Sequence, residues 1–100
     1  MAWELYKLSS GKNSLDNFEL GADAIWEVHD QLKAYFQERL QKGSKFGLDI
    51  ALSAVGFEIF IDGARITVGW DNWSGIFIMA WDEDGNVIVE ELAQFFNADS

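Results

Sequence analysis

Residues 57–70, FEIFIDGARITVGW, decide the fold of this chain. Apolar and polar residues alternate on both sides of a short centre, the pattern of two antiparallel strands joined by a tight turn. Two registers fit that centre. A type II′ loop at Gly63-Ala64 places Asp62 opposite Arg65, whereas a type I′ loop at Asp62-Gly63 shifts the pairing by two. Both registers keep the same residues on each face, so the sequence leaves the choice open.

Further strands are predicted on either side of this hairpin. After a turn at 71–75, residues from Gly75 to about Trp81 form a third strand, and residues 48–55 form another. The short alternating stretch 3–8 also predicts a strand, and the polar composition of 9–14 predicts a turn or loop. The hairpin therefore belongs to a wider antiparallel sheet.

Helical patterns precede and follow the predicted sheet. Residues 22–42 carry an apolar stripe at spacings of three and four, with Gly43 as a natural C-cap. Residues 82–86, DEDGN, predict a hairpin-type turn, and 87–89 begin either a short strand or the last helix. Residues 90–97 predict a terminal helix. The stripe of the first helix consists of Ile25, Val28, Leu32, Tyr35, Phe36 and Leu40.

Together these elements predict one α+β domain over residues 1–100, a size that suits a single core. The long helix is expected to pack on an antiparallel sheet of about four or five strands, with a short helix at the C-terminus. The second face of the sheet is also apolar, and we expect the terminal helix, the first strand's loop or a partner to cover it. The residues on that face are Phe60, Phe77, Met79 and Trp81.

Charge limits the classes of partner. The net charge is −10, and residues 51–100 contribute −8 of it, with Arg65 as their single base. Nucleic acids and anionic membranes need basic patches, so both are poor candidates, whereas a cationic protein is a good one. No stretch of 18 apolar residues and no signal-peptide pattern occurs, so a cytoplasmic location is expected.

The motifs that could carry chemistry are weak. His29 is the one candidate base and is interpreted as a residue on the flank of the helix. Residues 10–14, SGKNS, depart from a phosphate loop. A calcium loop starting at Asp82 would need glycine at its sixth position and glutamate at its twelfth, where the chain has Val87 and Ala93. The absence of cysteine excludes thiolate metal sites. We therefore expect no catalytic residues, no metal site and no cofactor.

Residues 69–75, GWDNWSG, are the most distinctive stretch, because two tryptophans bracket an Asp-Asn turn. Alternation directs Trp70 toward the core. Trp73 lies at the turn, where it either folds back over the sheet edge or stays exposed as a binding anchor. In a simple meander this turn and the 82–86 turn lie at opposite ends of the sheet.

The stretch 66–79, ITVGWDNWSGIFIM, in a small acidic chain with a helix before the sheet, resembles the immunity proteins of bacterial polymorphic toxin systems, including contact-dependent growth inhibition. The resemblance implies a non-enzymatic protein that binds a cognate toxin C-terminal domain, often a basic nuclease, and covers its substrate surface. The alternative is a homodimeric binding or regulatory module. Candidate partner-binding residues, chosen by type and turn position, are Glu58, Asp62, Asp71, Asn72, Trp73, Asp82, Glu83 and Asp84.

Overall fold

The computed structural model describes residues 3–40, 45–51 and 54–98, and of residues 45–51 and 54–55 it describes the backbone. It shows the expected α+β architecture, an antiparallel sheet with two helices. No helix in these ranges is long and apolar enough to cross a membrane. The elements in chain order are β1 (Glu4–Lys7), β2 (Asn13–Asn17), α1 (Ile25–Phe36), β3 (Lys45–Ala51), β4 (Ala54–Ile61), β5 (Ala64–Asp71), β6 (Gly75–Ala80) and α2 (Glu83–Asn97).

The sheet has six strands in the order β1-β2-β6-β5-β4-β3, and every neighbouring pair is antiparallel. The stretch 48–55, predicted as one strand, instead belongs to two. The chain reverses after β3, and Ala51 pairs with Ala54 at the start of β4. This stretch, LDIALSAV, contains no glycine, proline or asparagine to signal a turn, and the prediction of one strand was therefore wrong.

The β4–β5 hairpin adopts the type I′ register. Asp62 and Gly63 both have positive φ, 51° and 85°, and Ile61 pairs with Ala64. Type I′ turns need a positive φ at both central residues, and Asp-Gly is a favoured pair for this role. The structure therefore decides between the two registers that the sequence left open.

Strand β2 was not predicted from the sequence, because its composition is that of a loop. Its residues, NSLDN, have low β-propensity, and its first residues fell within the predicted loop at 9–14. It forms because tertiary partners satisfy its polar groups. The backbone N–H of Asn13 donates to Oδ1 of Asn86 on α2 at 2.7 Å, and Nδ2 of Asn13 donates to the Asn86 carbonyl at 3.2 Å. Leu15 is fully buried between β1 and β6.

Helix α2 begins earlier than predicted, so the hairpin-type turn expected at 82–86 was wrong. Asp82 is the N-cap of the helix, and its Oδ1 accepts from the backbone N–H of Gly85 at 2.7 Å. Glu83 and Asp84 follow in the first turn, where the positive end of the helix dipole favours carboxylates. The same residue types suit a turn and a helix start, and the long apolar face behind them selects the helix.

Helix α1 is preceded and followed by short 3₁₀ segments, Ala22–Ala24 and Gln37–Arg39. The regular helix ends at Phe36, because Gln37 adopts a φ of 48°. The C-cap predicted at Gly43 lies outside the described residues. Of the predicted stripe, Ile25, Val28, Leu32 and Phe36 are buried, as the helical periodicity required.

Both helices pack against one face of the sheet. Phe57, Ile66 and Ile78 of that face belong to the same buried core as Leu32 of α1 and Leu92 of α2. The terminal helix therefore does not cover the second face, which we call the open face. Phe60, Phe77 and Met79 on it are partly buried, and Trp81 beside them is exposed.

Candidate functional site

The turn from β5 to β6 fixes an exposed tryptophan. Oδ1 of Asp71 accepts hydrogen bonds from the backbone N–H groups of Trp73, at 2.9 Å, and of Ser74, at 2.6 Å. These bonds close the turn without using the indole, and the Trp73 side chain is 88% exposed. The interpretation that Trp73 folds back over the sheet is therefore wrong. Trp70 packs against the core, as predicted.

Gly75 allows the turn after β2 to pack against the turn from β5 to β6. Gly75 has a φ of 71°, and a Cβ added to it would lie 2.2 Å from the carbonyl oxygen of Asn17. The end of β2 can approach β6 this closely because Gly75 has no side chain. Oδ1 of Asn17 then accepts from the N–H of Glu19 at 3.0 Å. The turn that contains Phe18 and Glu19 thus lies beside the turn that contains Trp73.

The two turns border a solvent-open cavity of about 380 Å³. Phe18 and Trp73 both line it, and both are largely exposed, Phe18 to 55%. Glu19 and Asp71 supply carboxylates to the lining, which includes no lysine or arginine among the described residues. We call this region the acidic–aromatic end, defined as Glu4, Asp16, Phe18, Glu19, Asp71 and Trp73.

The carboxylates of this end act on one another. Partial burial raises the pKa of Asp16, a hydrogen bond from Ser14 opposes the rise, and the charges of Asp71 and Glu4 raise that pKa further. The Tyr6 hydroxyl donates to Glu4, and this bond raises the pKa of Tyr6. The negative charges of Asp71 and Glu4 thus add to the effect of burial, because like charges disfavour the ionised form of Asp16.

The opposite end of the sheet, at the β4–β5 turn, pairs its carboxylates with cations. We call it the hairpin end. Arg39 donates to Oδ2 of Asp62 at 2.8 Å and to Oε2 of Glu91 at 2.7 Å, and the Tyr35 hydroxyl donates to the same Glu91 oxygen at 2.6 Å. The bonds from Arg39 outweigh partial burial, so the pKa of Glu91 is lowered. The bond to Glu91 raises the pKa of Tyr35.

A second pair and an aromatic contact lie on the open face near this end. Arg65 forms an ion pair with Glu58, and its guanidinium lies 4.2 Å from the centre of the Trp81 ring. The Trp81 indole N–H donates to the Thr67 hydroxyl at 2.7 Å, and Lys12 lies 4.9 Å from the same ring. Cations and carboxylates are therefore balanced here.

The eight predicted partner-binding residues do not form one surface. Asp71, Asn72 and Trp73 lie at the acidic–aromatic end, as the strand pairing of β5 with β6 requires. The others lie on the side toward the hairpin end, where Glu58 and Asp62 are ion-paired and Asp82 caps α2. These others are Glu58, Asp62, Asp82, Glu83 and Asp84.

Sequence reasoning missed the half of the acidic–aromatic end that β1 and β2 contribute, namely Glu4, Asp16, Phe18 and Glu19. The local signal was weak, because Leu15 is the single apolar residue among residues 12–17, directly before Phe18-Glu19. Because β2 was interpreted as part of a loop, nothing placed this turn beside residues 71–75.

His29 has the structural surroundings predicted for a helix-flank histidine. Its side chain is 13% exposed, Nδ1 lies 3.0 Å from Oδ1 of Asp30, and the ring contacts Phe57 edge-on. Among the residues with described side chains, no group of three His, Cys, Asp or Glu is placed to hold a metal ion.

The acidic–aromatic end is thus the candidate site, built from two turns, two exposed rings and unbalanced carboxylates. Comparison of the chain with protein-family models, with curated protein sequences and with solved structures finds no significant match.

Proposed function

We propose that this protein is a non-enzymatic inhibitor of the immunity type, which binds a basic toxin domain and covers its substrate surface. One observation supports this proposal most. Glu19 and Asp71 line the cavity of the acidic–aromatic end without a described cation, and Asp16 lies within the field of Asp71, whereas Asp62, Glu91 and Glu58 each contact Arg39 or Arg65. A surface that retains like charges in close proximity is suited to a cationic partner.

The proposal has a physical basis in the need of a nuclease domain to bind nucleic acid. A nuclease domain must be cationic where it holds phosphates, and an acidic protein that binds there excludes the nucleic acid without any catalysis. Electrostatic attraction accelerates the encounter, and exposed aromatic residues such as Trp73 then slow release. Both kinds of residue occur together at the acidic–aromatic end.

The direct test is co-expression with the toxin domain encoded next to this protein's gene. We expect growth to be restored and a stable complex to form, with an association rate that falls as salt rises. The double variant Asp16→Asn/Glu19→Gln should associate more slowly than wild type. The matched control is Glu83→Gln/Asp84→Asn, which removes the same charge from the first turn of α2. Failure of the wild-type protein to bind or to restore growth contradicts the proposed function.

A second candidate function, a homodimeric module, is favoured by a different observation. Within the described part of the chain, both helices pack on one face of the sheet, so neither covers Phe77 and Met79 of the open face. A second copy could bury these side chains. Sedimentation equilibrium at micromolar concentration tests this: a dimer that Phe77→Asp converts to a monomer supports it, and a wild-type monomer contradicts it.

A further inference from the structure

The cavity of the acidic–aromatic end has aromatic walls and carboxylates at its rim. Phe18, Trp70 and Trp73 line it. Phe18 is 55% exposed and Trp73 is 88% exposed, so both rings present area to solvent that a ligand can cover. Glu19 and Asp71 complete the lining with negative charge. The cavity therefore combines the two features that bind organic cations, π-faces and carboxylates.

The charges around the cavity favour a positively charged ligand group over an apolar side chain. An apolar side chain in this cavity would take the carboxylates of Asp71 and Glu19 out of water without supplying a counter-charge, which is unfavourable. Asp16 lies within the electrostatic reach of both Asp71 and Glu4, and the described side chains of Arg39 and Arg65 are engaged by other carboxylates. The attraction toward a positive group is therefore available to a partner.

We infer, building on the proposed function, that the partner inserts an arginine side chain into this cavity. Its guanidinium stacks on Trp73 or Phe18 and donates to the carboxylates of the rim. Arginine fits this site better than lysine, because its guanidinium is planar, is weakly hydrated and pairs with carboxylates through two parallel bonds. The shallow, open form of the cavity suits one long side chain that enters from solvent.

A peptide titration tests the inference without the toxin. The protein, labelled with nitrogen-15, is titrated with acetylated and amidated tri-arginine, tri-lysine and tri-glutamate peptides. We expect tri-arginine to shift the backbone amide of Gly75 and the indole N–H of Trp73, tri-lysine to bind several-fold more weakly, and tri-glutamate to leave both signals unchanged. Equal binding of tri-lysine, or shifts centred on Glu83–Asn86, contradicts the inference.

Single variants locate the contact. Phe18→Ala and Trp73→Ala should each weaken tri-arginine binding several-fold. Trp26→Ala is the matched control, because Trp26 is also largely exposed but does not line the cavity. A loss of binding in all three variants, or in none, contradicts the inference.

Experiments with the toxin domain distinguish a failure of the proposed function from a failure of the arginine site. Trp73→Ala should weaken the complex by about tenfold or more, mainly through faster dissociation. If wild type neutralises the toxin and Phe18→Ala and Trp73→Ala bind it as tightly, the arginine site is wrong and the proposed function stands. If wild type does not bind the toxin, the proposed function fails, and the peptide titration still decides whether the cavity takes a guanidinium.

Discussion

At the hairpin end, Asp62 and Glu91 share the guanidinium of Arg39, and Asp82 accepts from the first turn of α2. At the acidic–aromatic end, partial burial and the charge of Asp71 instead raise the pKa of Asp16, and no described cation lines the cavity between the two turns. Carboxylates of similar intrinsic chemistry thus serve different purposes at the two ends. Those that are paired stabilise the fold, and those that are gathered without a described counter-charge are the ones that we propose to attract a partner.

The two ends also differ in the space around their glycines. Substitution of the crowded glycine, Gly75, has the largest expected effect on stability. Gly75→Ala combines a positive φ of 71° with a contact of 2.2 Å to the backbone of Asn17, so its unfolding free energy should fall by about 2–4 kcal/mol. Gly63→Ala has a similar φ of 85° but meets no atom within 4 Å, so it should lose only about 1 kcal/mol. Urea denaturation of both variants measures the difference. Equal losses of unfolding free energy would show that the positive φ alone accounts for both effects and that the contact with Asn17 adds nothing.

The Arg39 network should contribute a smaller, pH-dependent stabilisation. At neutral pH, Glu91→Gln should lower the unfolding free energy by about 1 kcal/mol, because it removes a partly buried partner of Arg39 and Tyr35. The folded-state pKa of Glu91 is lowered, so this stabilisation is present above its unfolded pKa and is lost as pH falls through the folded value. Denaturation at neutral and strongly acidic pH checks this. Glu90→Gln, an exposed neighbour on α2, should have little effect at either pH.

Neutralising a carboxylate at the acidic–aromatic end should raise the free energy of unfolding, whereas Glu91→Gln lowers it. Asp16→Asn retains an oxygen to accept the Ser14 hydroxyl and removes the repulsion from Asp71 and Glu4. Because the folded-state pKa of Asp16 is raised, its charge destabilises the fold at neutral pH, and this effect vanishes as pH falls below the unfolded value. We expect a gain of less than about 1 kcal/mol at neutral pH, measured by thermal or urea unfolding. A loss of stability at neutral pH would show that the Ser14 bond outweighs the repulsion.

The smallest expected effect on stability is that of Trp73→Ala. With 88% of its side chain exposed, this tryptophan contributes little packing, and the unfolding free energy should change by no more than about 0.5 kcal/mol. Trp70→Ala, which removes a ring packed against the core, should lose about 2 kcal/mol or more. A similar loss for both variants would mean that Trp73 serves the fold and not a partner.

The sequence by itself determined the α+β class, the helical stripe of α1 and the faces of the β4–β5 hairpin. These features follow from local periodicity, since an apolar period of 3.6 or 2 fixes which side chains can be buried together. Phe57, Ile59 and Ile66 are buried as that alternation required. The acidic balance of residues 51–100 also followed from composition.

Only the tertiary structure decided β2, the start of α2 and the assembly of the candidate site. Asn13 and Asn17 are poor strand formers, and β2 forms because β1 and β6 pair with its backbone and Asn86 binds Asn13. Residues 82–86 fit either a turn or a capped helix, and packing selects the helix. The acidic–aromatic end joins residues from β1, the end of β2 and the 71–75 turn, which are distant in the chain. No local pattern can encode that meeting, because it depends on which strands become neighbours in the sheet.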